Sequence, residues 1–253
     1  MSLRLLTYNI LRGGAGREGP IAEVINSCTP DIVILEEAIR PSVVESLAAR
    51  CGMKHHASTP GHSVAFMSRV EVTRHVWRRV RWARRAYLEL VTASGLRIYG
   101  VHLSALHTNL TEQRRAYELR SLLRSIDRHQ EGLHVVIGDF NTLAPDERLR
   151  MERLPPRLRA LAWITGKTIR WVTIRLMLEA GYVDVYRQLH EVGEGHTFTT
   201  WDPHVRLDYV FVPEPFKATI QSCEVVRHPA AVLEASDHFP LLTVLGTGDV
   251  LSS

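Results

Sequence analysis

The chain alternates short apolar runs with longer stretches of helical period. Residues 3–7, 31–35, 64–67, 86–91, 96–101, 134–137, 207–212 and 241–245 are short, rich in β-branched or aromatic side chains, and bounded by Gly, Pro, Ser or Asp, which predicts buried strands. Residues 21–27 and 42–50 have the spacing of short amphipathic helices. Residues 111–128 give the clearest helical signal: Ala116, Leu119, Leu123 and Ile126 share one stripe with arginines opposite, and Thr111 is placed to cap the N-terminus. The runs 86–91 and 96–101 flank a short turn at 92–95 and read as a hairpin, so the sheet is mixed rather than purely parallel. With no internal repeat and no Gly/Ser-rich linker, residues 1–253 are expected to form a single α/β domain.

One region breaks this rhythm. Residues 143–177 carry Pro155, Pro156 and Gly166 as interruptions and read as two or three short basic helices inserted into the domain. Trp163, Ile164, Trp171, Ile174, Leu176 and Met177 are expected to anchor this insert, with Trp163 and Trp171 largely buried.

Composition excludes several classes. At 45% hydrophobic and 23% charged residues, the 253-residue chain is neither disordered nor of low complexity. No stretch is long and apolar enough to span a bilayer, and the first residues lack the pattern of a signal peptide, so a cytoplasmic monomer is expected. Cys28, Cys51 and Cys223 are too few and too scattered for a disulfide framework or a thiolate metal site.

The net charge is only +4, but it is unevenly distributed. Residues 72–88 hold six arginines and no acid, and residues 148–175 hold seven arginines and Lys167 against Glu152, which leaves the remainder acidic. Such segregation points to an anionic partner.

Candidate chemistry lies at strand ends, where a sheet fixes a side chain and a loop exposes it. Asn9, Glu37, His102, Asp139 with Asn141, and Asp237 with His238 each follow or adjoin an apolar run, and Asp208 interrupts one. A carboxylate inside an apolar strand needs a partner such as a histidine or a cation. Carboxylate and amide oxygens suit a hard cation such as Mg²⁺, which is usually held by one or two protein carboxylates together with substrate phosphate.

The segments TYNI, PDIVILEE, GHSVAFMSR, YGVHLS, VIGDFN, GYVDVYR, RLDYVFV and SDHFPLL occur in an order and spacing that resemble the endonuclease/exonuclease/phosphatase superfamily, from residue 3 to about 245. The resemblance implies a four-layer α/β sandwich of two mixed β-sheets packed face to face, with helices on both outer sides. It also implies Mg²⁺, with Mn²⁺ as a possible substitute, held by Asn9, Glu37 and Asp237; Glu36 stands where relatives usually have Gln. Asp139 resembles the base that activates water, Asn141 a residue that orients phosphate, His102 a phosphate contact, Asp208 the carboxylate that orients the last histidine, and His238 the imidazole that stabilises the phosphate. The implied reaction is hydrolysis of a phosphodiester by in-line attack of water.

His102 stands where abasic-site members carry a tyrosine followed by Pro-Asn, which makes dedicated abasic-site repair a weaker reading. A nuclease acting on DNA or RNA is the first expectation. It is supported by residues 74–85, where Trp77 and Trp82 interleave with arginines able to contact phosphates while an indole stacks on a base. The alternative is a sphingomyelinase-like phosphodiesterase or a phosphatase for an anionic lipid headgroup or small phosphoester, with the insert lying on a membrane surface.

Overall fold

The computed structural model describes residues 2–79, 86–105, 108–126, 132–145, 147 and 171–246. Its strands form two six-stranded sheets. The first runs in the spatial order β11 (Ile220–Val225), β12 (Leu241–Gly246), β1 (Ser2–Asn9), β2 (Ile32–Glu36), β4 (Val64–Ser68) and β3 (His55–Ala57). The second runs β5 (Val72–Arg79), β6 (Ala86–Thr92), β7 (Arg97–His102), β8 (His134–Asp139), β10 (Asp208–Pro213) and β9 (Tyr182–Asp184). Only β1 with β2 and β7 with β8 pair in parallel, so both sheets are mixed.

Side-chain alternation builds the layers. Leu6 and Tyr8 of β1 and Val33 and Leu35 of β2 pack outward on α1 (Glu18–Cys28) and α2 (Pro41–Cys51). Leu5, Ile32 and Ile34 point the other way and meet Leu88, Leu90, Ile98, Val135 and Ile137 of the second sheet. The outer face of that sheet, with Tyr99, Val101, Val136 and Phe211, packs on α3 (Asn109–Ile126) and α4 (Thr173–Glu179). Helix, sheet, sheet, helix is the four-layer sandwich expected from the sequence. Two shorter helices, α5 (Val185–Leu189) and α6 (Val232–Ala235), and a 3-10 helix at Glu214–Thr219 complete the regular structure among the described residues. All three cysteines are buried and free, and no described helix is long and apolar enough to cross a membrane.

Several expectations are corrected. Strands β3, β5, β9 and β11 all lie at sheet edges or beside them, where polar and charged residues mask the two-residue period. The Arg/Trp segment is in part β5, the outermost strand of the second sheet. Its Trp77 is half-buried, donates its indole N–H to the Val64 carbonyl at 2.8 Å and contacts His62 and His75, so part of it packs on the sheet. Arg78 is paired with the buried Glu89, leaving Arg74 and Arg79 exposed; residues 80–85, with Trp82, lie outside the described residues. Helix α3 begins two residues earlier than expected, at Asn109, and Thr108 rather than Thr111 is its cap: the Thr108 hydroxyl accepts from the Thr111 amide at 3.2 Å, and the Thr111 hydroxyl accepts from the Thr108 amide at 3.1 Å. Of the expected insert, residues 148–170 and with them Trp163 lie outside the described residues. At its end Ile174 and Met177 are buried, whereas Trp171 is only half-buried against Leu143, Val205 and Leu207.

Helix α3 carries an unexpected polar stripe on its buried face, made of Glu112, Arg115 and Glu118. Glu112 accepts from the Val172 and Thr173 amides and both threonine hydroxyls, Thr173 and Thr142, at 2.7 to 2.8 Å, and from the Arg115 guanidinium. Arg115 donates to the Ser104 carbonyl at 2.7 Å, and Glu118 accepts from the Ser104 amide and hydroxyl. One helix face therefore pins the chain leaving β7, the chain leaving β8 and the start of α4.

Burial alone would raise the Glu112 pKa, but Arg115 and the threonine donors override it and hold the carboxyl below its ordinary 4.5. Removing one partner of a buried ion pair typically costs about 3 to 5 kcal/mol. Glu112→Gln should therefore lower stability by about 3 kcal/mol at pH 7. Because the folded pKa is depressed, this contribution is complete above the unfolded value and is lost as pH falls through the folded one, so thermal melts should show parent and variant converging at pH values well below about 4.5.

Candidate active site

Parallel pairing places the C-terminal ends of β1, β2, β7 and β8 at one edge of the sandwich. Register completes the set: His102 and Asp208 both lie opposite Asp139 on neighbouring strands, and Asn9 lies opposite Glu36. β12 runs antiparallel to β1, so the loop that precedes it brings Asp237 and His238 to the same edge. Every residue expected at the site from the sequence, namely Asn9, Glu37, His102, Asp139, Asn141, Asp208, Asp237 and His238, is at this edge.

Asp139 is the best-supported of these groups. Gly138 before it has φ of +142°, and a Cβ there would lie 2.0 Å from the Val101 carbonyl oxygen, so only glycine lets β7 and β8 approach so closely. One Asp139 oxygen accepts from the Asn141 amide at 2.8 Å, and the other accepts from the Asn9 side chain at 3.0 Å with His102 Nε2 3.8 Å away. Asn141 itself adopts φ of +52° and donates through its side chain to the Leu103 carbonyl. Asn9 is thus committed to holding Asp139, and its Oδ1 also accepts from the Leu11 amide.

Asp208 Oδ2 lies 2.9 Å from His238 Nδ1. A carboxylate can only accept, so Nδ1 carries the proton and Nε2 is left for other partners. The Phe198 ring, 4.9 Å away, walls the imidazole. Burial alone would depress the His238 pKa, but the carboxylates of Asp208, Asp139 and Asp237 push it up to about 10, so the ring is a cation at neutral pH. For Asp139, burial and then the nearby Asp208 charge push the pKa up to about 7, against the opposing pull of His238 and two hydrogen bonds. Asp139, Asp208 and His238 lie close enough that their ligand atoms fall within 4.8 Å of one another. Within that cluster Asp208 already engages the imidazole nitrogen it faces.

The adjacent glutamates diverge. Glu36 ends β2 fully buried, accepts from the Thr7 hydroxyl at 2.6 Å, and has its pKa pushed well up by burial and then by Asp208. Glu37 turns into the left-handed region at φ of +54°, is half-exposed, and accepts from the Arg12 amide at 2.6 Å. Its charge, after burial, helps raise the pKa of Asp237. Glu37 and Asp237 at an open edge, with the Asn9 amide beside them, form an oxygen-donor set that fits a hard divalent cation.

Sequence reasoning missed Trp201. The turn that carries it is fastened to the site: Thr200 donates through its amide to the Asp237 carbonyl and through its hydroxyl to the Ser236 carbonyl, both at 3.0 Å. The indole itself is 74% exposed. A lone Trp among Thr, Asp and Pro was the available signal, since a turn offers no core in which to bury it.

Comparisons place the fold among known structures. The fold is similar to an AP endonuclease from Archaeoglobus fulgidus, with a TM-score of 0.74 and 18% identity over 97% of this chain and 100% of that one. It is similar to the 3′ phosphatase NExo from Neisseria bound to a product DNA hairpin, with a TM-score of 0.72 and 17% identity over 97% and 100% of the two chains. It is also similar to D. rerio TDP2 complexed with a single-strand DNA product, with a TM-score of 0.69 and 20% identity over 97% and 99%. No curated protein sequence matches. Residues 6–238 match the Endonuclease/Exonuclease/phosphatase family, and the chain belongs to that family.

Proposed function

We propose that the protein is a divalent-metal-dependent phosphodiester hydrolase acting on nucleic acid. Membership of the family makes it a phosphoester hydrolase. The observation that carries the finer reading is the convergence at one edge of a buried base, Asp139, an imidazolium, His238, held by Asp208, and the oxygen donors Glu37 and Asp237. Support for a nucleic-acid substrate comes from the exposed Trp201 on the same rim, and from the DNA products bound by the similar NExo and TDP2.

Each side chain has a distinct task. Glu37 and Asp237, with Asn9 beside them, would hold the cation. When bound, a divalent cation supplies charge neutralisation on the phosphate oxygens. Asp139, once ionised, accepts a proton from the attacking water, whose oxygen bonds to phosphorus as the bond to the leaving oxygen breaks. Asn9 and the Asn141 amide hold the two Asp139 oxygens in place. His238 presents a fixed cationic donor to the phosphoryl oxygens, where negative charge grows in the transition state.

The test is a panel of plasmid DNA, single-stranded DNA and RNA oligonucleotides, sphingomyelin, a phosphomonoester and bis-p-nitrophenyl phosphate, each with Mg²⁺ and with excess EDTA. Oligonucleotide or plasmid cleavage that EDTA abolishes is expected; turnover undiminished in EDTA overturns the metal assignment, and sphingomyelin as the preferred substrate overturns the nucleic-acid one. Asp139→Asn and His238→Ala should each lower kcat by at least about 10²-fold, the scale of a lost base or transition-state charge contact, with Asp208→Asn losing less if it acts only through His238. Trp201→Ala should raise KM for a single-stranded substrate about five- to hundredfold, the equivalent of about 1 to 3 kcal/mol of stacking, and an unchanged KM refutes that role.

A further inference from the structure

The loop that follows β1 has a backbone that L-residues rarely adopt. Four successive residues have positive φ: Leu11 at 49°, Arg12 at 51°, Gly13 at 83° and Gly14 at 66°. Two of them are not glycine, so the turn carries strain of roughly 1 to 2 kcal/mol at each, and it persists only if its surroundings hold it.

Three contacts do so. The Leu11 amide donates to Asn9 Oδ1 at 3.0 Å, and the Arg12 amide donates to Glu37 Oε2 at 2.6 Å. The Arg17 guanidinium closes the turn from behind. It donates to the carbonyls of Ile10 and Leu11 and, across the edge of the sandwich, to that of Ala235, the residue just before Ser236, Asp237 and His238. The turn is thereby fixed to both sides of the catalytic edge.

This backbone directs the Arg12 amide at Glu37 and leaves the Arg12 side chain exposed. Arg40 reaches the same lip from the start of α2. Its Cγ and Cδ lie 2.9 and 3.1 Å from where a Cβ on Gly13 would sit, so the glycine makes room for the arginine stem. Arg40 is exposed as well. Among the described residues neither guanidinium has an ion-pair partner, although the carboxylate of Glu37 is hydrogen-bonded to this very loop. Arg12 adjoins Gly13 in the chain and the Arg40 stem packs on it, so two exposed cations without an ion-pair partner share one stretch of rim, where their combined charge attracts an anion.

We propose that Arg12 and Arg40 form a subsite for the phosphate that neighbours the scissile one in a polynucleotide. The proposal rests on the nucleic-acid reading above and sharpens it: the substrate is a chain with phosphates on both sides of the reacting bond. Guanidinium groups suit the role because they remain charged at any working pH and present paired N–H donors to phosphate oxygens.

The experiment compares the parent with Arg12→Ala, Arg40→Ala, the double alanine variant and the double lysine variant, after thermal melts confirm that each is folded. Substrates are a single-stranded oligonucleotide over a range of salt, and bis-p-nitrophenyl phosphate, which has no flanking phosphate. On the oligonucleotide the double alanine variant should show KM raised at least about tenfold, and a log–log salt slope smaller by about 0.7, the value for one phosphate contact on a single strand. The double lysine variant should keep a slope near the parent's, since it keeps both charges. The loss of kcat/KM on bis-p-nitrophenyl phosphate should be at least about tenfold smaller than on the oligonucleotide. Equal salt slopes for parent and double alanine variant, in an enzyme that does cleave the oligonucleotide, overturn the subsite and leave the nucleic-acid reading standing. A parent that hydrolyses bis-p-nitrophenyl phosphate but no nucleic acid overturns both.

Discussion

Three carboxyl groups, those of Asp139, Asp208 and Glu36, share one buried volume with the His238 imidazole, with His102 Nε2 3.8 Å from Asp139, and the rest of the site is organised around that cluster of acid. Like charges at such separations, away from water, cannot all ionise without large cost. The fold settles the conflict by giving each carboxyl a different surrounding. Asp208 faces the His238 imidazolium; Asp139 accepts from two donors yet is still pushed up to about 7; Glu36, with one threonine hydroxyl, is held far above its ordinary value. A carboxyl group with a pKa near neutrality and a histidine that stays cationic then arise from one electrostatic arrangement.

That arrangement holds only if strand ends stay in register, and buried ion networks rather than apolar packing secure them. Glu112 and Arg115 pin the exits of β7 and β8 from one side. On the other side Arg206, fully buried, makes a bidentate pair with Asp184 at 2.9 and 2.6 Å, reaches Glu147 at 2.9 Å, and lies 4.3 Å from the Tyr209 ring centre. Arg206 stands two residues before Asp208, so this cluster fixes where Asp208 enters β10. Guanidinium suits both places because its planar donors satisfy several acceptors at once without deprotonating. Aliphatic residues of similar volume would pack as well, but they would leave the carbonyls and carboxylates of the loop ends unsatisfied.

Much of this was legible in the sequence, for a physical reason. Strands of an inner sheet must be apolar, so a polar residue at their ends stands out; Asn9, Glu37, His102, Asp139, Asn141, Asp208, Asp237 and His238 could all be located in that way. Edge strands carry no such contrast, which is why β5 read as a binding segment although Trp77 is partly packed and Arg78 paired. The buried faces of α3 and Arg206 were hidden for the opposite reason. Glu112, Arg115, Glu118 and Arg206 look like surface residues by type, and only the tertiary fold brings them the partners that make their burial tolerable. The divergence of Glu36 and Glu37 depends on a single left-handed residue, and a backbone angle of that kind has no sequence signature unless glycine supplies it.

What the sheets supply and what the loops supply can be separated on the same grounds. In the proposed function the groups that move protons or face the reacting phosphate sit on strand ends, in surroundings whose burial sets their charge state, and they would be equally suited to any phosphodiester. Groups able to tell a polymer from a small ester must lie farther out, where water competes and each contact is individually weak. Arg12, Arg40 and Trp201 satisfy that condition: each is exposed, and each stands on a turn hydrogen-bonded to the backbone or side chain of a site residue, the Arg12 and Ile39 amides to Glu37 and the Thr200 amide to Asp237. Weak contacts discriminate only when they are preorganised, because a flexible side chain on a flexible loop loses in ordering what it gains in attraction. The strained turn stapled by Arg17 meets that requirement: the backbone whose amides hold Asn9 and Glu37 also fixes where the exposed Arg12 leaves the rim.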